Sequence, residues 1–156
     1  QVVIVGSGDP SLAAQLQSIA QQHPDKFAFI NAYDDRLAHL VEAGADFFLM
    51  PSLFEPCGLN QMYSLAYGTL PLVRAVGGLK DTVVDWDADP THATGFCFND
   101  PTASTLLDAM RRSLLHYLQE PARFARVQHH AMNTRFDWAD SVILYEQMYQ
   151  DALATV

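Results

Sequence analysis

The sequence PSLFEPCGLNQ at residues 51–61 decides the predicted fold, because it lies between an apolar strand and a helix. Ahead of it, Ala45 to Met50 is apolar enough to form a buried strand. Behind it, Leu59 to Tyr67 has helical spacing and ends at Gly68, a residue type that commonly caps helices. A strand, a short loop and a helix in this order form the repeating unit of parallel sheets.

The same alternation continues on both sides of this segment. It predicts strands at Val2–Val5, Phe27–Ile30, Pro71–Val73 and Gly95–Phe98, and helices at Ser11–Gln22 and Asp34–Ala43. Beyond Asp100 it predicts helices only, at Thr102–Gln119, Pro121–Met132 and Ala139–Leu153. The pattern indicates an α/β fold with a doubly wound parallel sheet in residues 1–98 and C-terminal helices. The first strand is expected to be buried on both faces, and the stretch from Asp81 to Thr94 to form a polar surface loop.

Length and charge narrow the class of protein. A chain of 156 residues with 49% hydrophobic content predicts a single domain over residues 1–156. The net charge of −9 argues against nucleic acid or an anionic membrane as a partner. The sequence holds 2 cysteines and no run of about 20 apolar residues, so it predicts a cytoplasmic protein without a membrane span. The strand that begins directly after Gln1 favours a segment of a longer protein.

Three weaker patterns are interpreted as ordinary structure. Gly6-Ser7-Gly8 lies between a strand and a helix, but Ser11 stands where a dinucleotide-binding fingerprint has its third glycine, so a tight turn is favoured. The histidines lack metal-ligand spacing, and no metal or cofactor is predicted. An exposed acidic loop is favoured over a calcium site for the alternating aspartates Asp85, Asp87 and Asp89.

The segment at residues 51–61 carries the chemistry. Ligands of doubly wound sheets bind at the carboxyl ends of strands, which places Glu55 at the rim of a cleft. The helix that follows begins with unpaired N–H groups and a positive dipole end, which attract a phosphate, and Gly58 would let that anion approach the backbone. The alternative is that Glu55 is an ordinary surface residue of a loop without a ligand-binding role, and that Gly58 only makes a turn. A glycine pair at 77–78 either completes a crevice there or makes an ordinary turn.

Three motifs resemble bacterial glycogen synthases and plant starch synthases: the segment at 51–61, YGTLPLV at 67–73 and GGLKDTV at 77–83. Tyr33, Gly95-Phe96 and the run from Phe136 to Trp138 are also similar to this family. The resemblance spans essentially the whole chain, and the order and spacing of the motifs agree with the family.

The resemblance implies the Rossmann-like second half of a GT-B retaining glucosyltransferase, without its amino-terminal domain and the start of its second domain. The reaction implied is transfer of glucose from ADP-glucose to the non-reducing end of an α-1,4-glucan. Glu55 would be the catalytic residue and would bind sugar hydroxyls. The implied donor-binding residues are Tyr33 near the base, the amides of Cys57, Gly58 and Leu59 at the sugar or phosphate, and Asn60 near the distal phosphate.

The sequence also departs from the family in a few positions. Tyr63 stands where related retaining transferases have a second glutamate, and Leu53 and Asn60 are substitutions expected to have small effects. The family's phosphate-gripping Arg and Lys residues match nothing in residues 1–156, so the isolated chain is expected to be inactive. Two alternatives remain: a GT-B enzyme that uses a UDP-sugar, and a non-catalytic glucan-binding module. The module is disfavoured because Trp86 is interpreted as a loop residue and Trp138 as a helix-start anchor.

Overall fold

The computed structural model describes residues 1–154, and within them five strands alternate with helices before three helices end the chain. In chain order the elements are β1 (Val2–Val5), α1 (Pro10–Gln22), β2 (Phe27–Ile30), α2 (Asp35–Gly44), β3 (Phe47–Met50), α3 (Asn60–Tyr67), β4 (Leu70–Arg74), α4 (Gly78–Thr82), β5 (Phe96–Phe98), α5 (Ala103–Gln119), α6 (Pro121–Asn133) and α7 (Trp138–Ala154).

The strands pair in parallel and fall into two sheets. One sheet joins β1 to β2, with Val2 opposite Phe27, and the other has the order β3-β4-β5, with Phe47 opposite Leu70. The α/β fold with parallel strands is therefore confirmed, although its strands form two sheets rather than one. Within residues 1–154, neither the second edge of β1 nor that of β3 is paired with a strand.

Strand β1 is less buried than its apolar sequence suggests. Val2 and Val3 are each 44% exposed, and the next two residues are half-buried. The expectation that this strand is buried on both faces is wrong, because the described part of the chain leaves one of its edges uncovered. Helix α1, which follows, has no fully buried residue either.

Short polar side chains and one glycine set the helix boundaries. The carboxylates of Asp9 and Asp34 and the hydroxyl of Thr102 accept hydrogen bonds from first-turn amides of α1, α2 and α5. Gly68 ends α3 in the left-handed conformation, with φ of 78°, which confirms the predicted cap. These local signals explain why the predicted helices and strands lie close to the observed ones.

The main core lies between the three-stranded sheet and the helices that cover it. Leu70 and Leu72 of β4, Phe96 of β5 and Leu65 of α3 are completely buried. Trp86 joins them, with its ring stacked on Phe96 at a centroid distance of 5.2 Å. Helices α5 and α6 close this core through Ala109, Phe124, Val127 and Ala131.

The segment expected to be a surface loop, Asp81 to Thr94, is instead tied into this core. Its first two residues end helix α4. Trp86 is 0% exposed, and the guanidinium of Arg123 lies 4.3 Å from the centroid of its ring. Trp86 also donates its backbone N–H to the carbonyl oxygen of Gly95 at 2.9 Å. The surface-loop prediction failed because aspartates lie on both sides of Trp86 in the sequence, so the segment has a polar composition although Trp86 itself is buried in the core.

The aspartates of this segment are only partly exposed. Arg112 contacts Asp85 at 2.7 Å and also pairs with Asp87, and the amide of Cys97 donates to Asp85 at 2.6 Å. Burial alone would raise the pKa of the Asp85 carboxyl, but the hydrogen bonds from Arg112 and from backbone amides outweigh it and lower that pKa. The prediction of an exposed acidic loop is thus wrong for Asp85, whose side chain is 18% exposed. The side chains of Asp87 and Asp89 are about half exposed.

Helix α7 exposes most of its apolar side chains. Ile143 is 62% exposed, Leu144 74% and Tyr149 61%. Trp138 begins the helix and is 70% exposed, with its ring 6.2 Å from that of Tyr145. Trp138 therefore lies at the start of the helix, as the sequence interpretation placed it, but it does not anchor the helix in the core. Across residues 1–154, no helix combines the length and apolarity needed to cross a membrane.

The two tryptophans provide a test of this core. Trp86→Ala removes a buried, stacked ring and should lower the free energy of unfolding by about 3–5 kcal/mol. Trp138→Ala, the matched control at an exposed position, should change it by no more than about 0.5 kcal/mol. Urea unfolding followed by circular dichroism measures both changes. Equal losses in the two variants would contradict the proposed core.

Candidate functional site

The site is built where the strands of the three-stranded sheet end. Because β3, β4 and β5 are parallel, their carboxyl ends lie at one edge of the sheet. The β3–α3 loop, residues 51–59, follows the first of these strands, and the glycine turn, Gly77 and Gly78, follows the second. In sheets of this kind the carboxyl edge is where ligands bind.

The two segments touch backbone to backbone. A Cβ atom added to Gly77 would lie 1.7 Å from the carbonyl oxygen of Glu55, and one added to Gly78 would lie 2.1 Å from that of Cys57. Gly77 also has a φ of 49°, which disfavours any other residue. The glycine pair is therefore more than an ordinary turn, since it lets the β3–α3 loop pack directly against the start of α4.

Gly58 is needed for conformation and packing. Its φ is 76°, and an added Cβ would lie 2.5 Å from Oε1 of Gln61. The sequence argument gave a different reason, the close approach of an anion. The structure shows that Gly58 is already required by the protein itself.

Helix α3 begins without a side-chain cap. Its N-cap residue is Leu59, which has no side chain that could accept a hydrogen bond. The first backbone bonds run from the amides of Met62 and Tyr63 to the carbonyl oxygen of Leu59. In residues 1–154 no acceptor bonds the amides of Gly58, Leu59, Asn60 or Gln61. Four N–H groups beside a positive helix end form a site suited to an anion.

Glu55 lies half-buried in the same loop. Its Oε2 accepts a hydrogen bond from the hydroxyl of Ser52 at 3.4 Å, and within the described chain its Oε1 has no donor. The carboxylate therefore keeps acceptor capacity for hydroxyl groups of a ligand. Cys57, Leu59 and Asn60 are exposed at this edge.

Tyr33 lies elsewhere. It follows β2, which belongs to the other sheet, and its side chain is 91% exposed. The structure brings together the predicted site residues of the β3–α3 loop and the glycine turn. Within residues 1–154, Tyr33 forms no hydrogen bond, ion pair or ring contact with them.

Sequence reasoning missed Arg74, which braces the loop from the sheet side. At the end of β4, its Nη1 donates to the carbonyl oxygens of Ser52 at 3.2 Å and Leu53 at 2.9 Å. Its Nε donates to the carbonyl oxygen of Asn99, after β5, at 2.9 Å. The guanidinium thus ties two strand ends together. Its partners are backbone atoms, so no residue pattern in the sequence could have marked them.

Gln61 was also missed and braces the loop from the helix side. It is 0% exposed, and its Nε2 lies within hydrogen-bond distance of the carbonyl oxygens of Cys57 and Gly58 and of Oγ1 of Thr82. The feature that marks Gln61 is the complete burial of its side-chain amide in the first turn of α3. The sequence alone does not show that burial.

No arrangement for a metal is present in the part of the chain that the structure describes, which contains no group of three suitable His, Cys, Asp or Glu side chains. Both cysteines are free. Burial, with help from the charge of Asp85, raises the pKa of the Cys97 thiol to about 12, so this thiol stays protonated at neutral pH.

A parallel α/β sheet with a carboxylate and open helix amides at its carboxyl edge has the architecture of the doubly wound class, whose ligands bind at that edge. Residues 1–127 match the family model described as Glycosyl transferases group 1. The chain belongs to this family.

Named relatives agree with this assignment. The chain is 87% identical over 154 residues to a glycogen synthase of Aeromonas hydrophila, covering 99% of the chain and 32% of the relative. It is 86% identical over 154 residues to a glycogen synthase of Aeromonas salmonicida, covering 99% of the chain and 32% of that relative. The chain therefore spans about a third of the length of the curated relatives it matches.

A solved structure supports the fold. The catalytic domain of starch synthase IV from Arabidopsis thaliana, bound to ADP and acarbose, superposes with a TM-score of 0.84 at 32% identity. The match covers 99% of this chain and 32% of that one. The architecture is that of part of a GT-B glycosyltransferase.

The backbone contact at the glycine turn can be tested by one methyl group. Gly78→Ala would place it 2.1 Å from the carbonyl oxygen of Cys57 and should cost about 1–3 kcal/mol of unfolding free energy. Gly6→Ala is the control, because nothing lies within 4 Å of the added Cβ and its effect should stay within about 0.5 kcal/mol. Denaturant unfolding of both variants measures the difference, and equal stability would contradict the contact.

Proposed function

We propose that the intact protein is a retaining glucosyltransferase of which this chain supplies the carboxy-terminal third. It transfers glucose from ADP-glucose to the non-reducing end of an α-1,4-glucan, in the cytoplasm. The observation that carries the proposal is the pairing of Glu55 with the open amides of α3 at one sheet edge. The names of the relatives, glycogen synthases at 86% and 87% identity, support the same reaction.

The proposed roles follow from what each group can donate or accept. Glu55 accepts hydrogen bonds from hydroxyls of the donor sugar. Such charge-assisted bonds contribute about 1.5–3 kcal/mol each, and the part realised only in the transition state lowers the barrier. The amides of Cys57, Gly58 and Leu59 donate to the sugar or the diphosphate, and Asn60 lies near the distal phosphate. Tyr33 contacts the base. Glu55 is not assigned as a covalent nucleophile.

The choice of ADP over UDP rests on similarity. The starch synthase IV structure is bound to ADP and acarbose, and its sequence is 32% identical to that of this chain. Calorimetry of the intact protein with ADP and with UDP decides between them. A non-catalytic glucan-binding module is not favoured, because such modules use exposed aromatic platforms, whereas Trp86 is fully buried and Trp138 is the one exposed tryptophan in residues 1–154.

The remainder of the protein is proposed to complete the sheet and the cleft. The common doubly wound order is 3-2-1-4-5-6, and the observed order fits it if β2-β1 and β3-β4-β5 flank one further strand. That strand would pair with both free edges and cover Val2 and Val3. The start of this second domain would supply the Arg and Lys cations that hold the departing diphosphate, whose neutralisation is typically a dominant catalytic effect. The isolated chain should therefore be inactive.

Substitution of Glu55 in the intact protein tests the proposal. Glu55→Ala should lower kcat for glucan elongation from ADP-glucose by on the order of 10²-fold or more, because transition-state hydrogen bonds are lost. ADP affinity should stay within a few-fold of wild type, since other groups hold the diphosphate. Incorporation of labelled glucose into glycogen and calorimetry with ADP measure the two effects.

The controls separate charge from position. Glu55→Gln keeps the shape and loses the charge, so a mild loss indicates positioning and a loss as deep as that of alanine indicates charge. Asp46→Ala removes an exposed acidic residue just before β3, at the opposite edge of the sheet, and should leave kcat unchanged. Near-normal kcat in Glu55→Ala, or loss of ADP binding alone, would refute the role proposed for Glu55.

A further inference from the structure

We propose that Gln61 is a positioning residue that turns two backbone N–H groups of the β3–α3 loop toward the donor diphosphate. The inference rests on the proposed function and adds a residue that does not itself touch the donor. Gln61 acts through the peptide groups that join Cys57 to Gly58 and Gly58 to Leu59.

The side-chain amide of Gln61 holds two neighbouring carbonyl groups. Its Nε2 donates to the carbonyl oxygens of Cys57 and of Gly58, each at 3.2 Å. Both carbonyls therefore point inward, toward a side chain that is 0% exposed. Two consecutive carbonyl groups can point at the same N–H donor of Gln61 because Gly58, between them, adopts a φ of 76°.

The orientation of each carbonyl fixes that of an amide. In a trans peptide group the C=O and N–H bonds point in opposite directions within one plane. Because the carbonyl of Cys57 points toward Gln61, the N–H of Gly58 in the same peptide group points away from it. Likewise, because the carbonyl of Gly58 points toward Gln61, the N–H of Leu59 points away. These are two of the amides at the start of α3 that no acceptor bonds in residues 1–154.

A second contact locks Gln61 to the glycine turn. Its Nε2 also lies 3.0 Å from Oγ1 of Thr82, so the two hydrogens of this amide are shared among three acceptors. The Thr82 hydroxyl donates to the carbonyl oxygen of Gly78 at 2.6 Å. Gly78 in turn packs against the carbonyl of Cys57. One buried amide thus connects both segments that form the edge, and loss of it would free the loop to rotate its peptide groups.

The chain offers a matched comparison at the other end of the same helix. Gln128 donates its Nε2 to the carbonyl oxygen of Gly68 at 2.8 Å, where α3 ends. This amide also bonds the backbone of a helix end, but it lies away from the β3–α3 loop. Removal of the Gln128 amide should therefore lower the stability of the protein without changing its affinity for the sugar-nucleotide donor.

The experiment compares Gln61→Met, Gln128→Met and Thr82→Val in the intact protein. Gln61→Met should weaken ADP binding by about tenfold or more and raise the KM for ADP-glucose similarly, because two donors to an anion lose their orientation. The KM for glycogen should not change. Gln128→Met should lower the melting temperature by a comparable amount and leave ADP affinity within about twofold. Thr82→Val should shift ADP affinity in the same direction as Gln61→Met, by less.

Each outcome of this experiment either supports or overturns the role proposed for Gln61. A Gln61→Met protein that melts earlier but binds ADP as tightly as wild type would show a purely structural role and overturn the inference. If Gln61→Met does not fold, Thr82→Val decides, and unchanged ADP affinity in that variant overturns it. Absence of ADP binding and glucosyl transfer in the wild-type protein would instead refute the proposed function, and with it this role of Gln61.

Discussion

The contact between the glycine turn and the β3–α3 loop is the constraint on which the site depends. The carbonyl groups of Glu55 and Cys57 occupy the space that side chains at Gly77 and Gly78 would fill. Because two backbones meet there, the loop cannot drift from the sheet edge without breaking a close-packed contact. Glu55 and the open amides of α3 are therefore presented together at one end of the sheet, with Arg74 and Gln61 as braces on either side.

The support for this edge is uneven across the molecule. The three-stranded sheet beneath the loop is fully buried around β4, and the stack of Trp86 on Phe96 closes it from the side of α5 and α6. By contrast, β1 is half-exposed, and Tyr33 follows a strand of the smaller sheet. The part of the site proposed to hold sugar and phosphate is thus held by contacts within this chain. The part proposed to hold the base depends on how the rest of the protein completes the sheet.

Local signals predicted most of the fold, and long-range contacts explain the rest. Apolar runs, a cap at Gly68 and turn residues placed the strands and most helices, because these depend on neighbours in sequence. Asp85 was misjudged because the cation that pairs with it, Arg112, lies 27 residues away on another element. The roles of Arg74 and Gln61 rest on backbone carbonyls, which every sequence contains. The segment at residues 51–61 was recognised as a site, but the reason for Gly58 became visible only in its φ and its neighbour Gln61.

Hydrogen exchange at the amides of Gly58 and Leu59 tests the central claim most directly, because these groups should face the donor. In the intact protein, with selective isotope labelling, we expect both amides to exchange rapidly without ligand, since no protein acceptor bonds them. Saturating ADP-glucose or ADP should then slow their exchange by about tenfold or more as they bond the diphosphate. Amides that are already protected without ligand, or whose exchange does not respond to either nucleotide, would contradict the account.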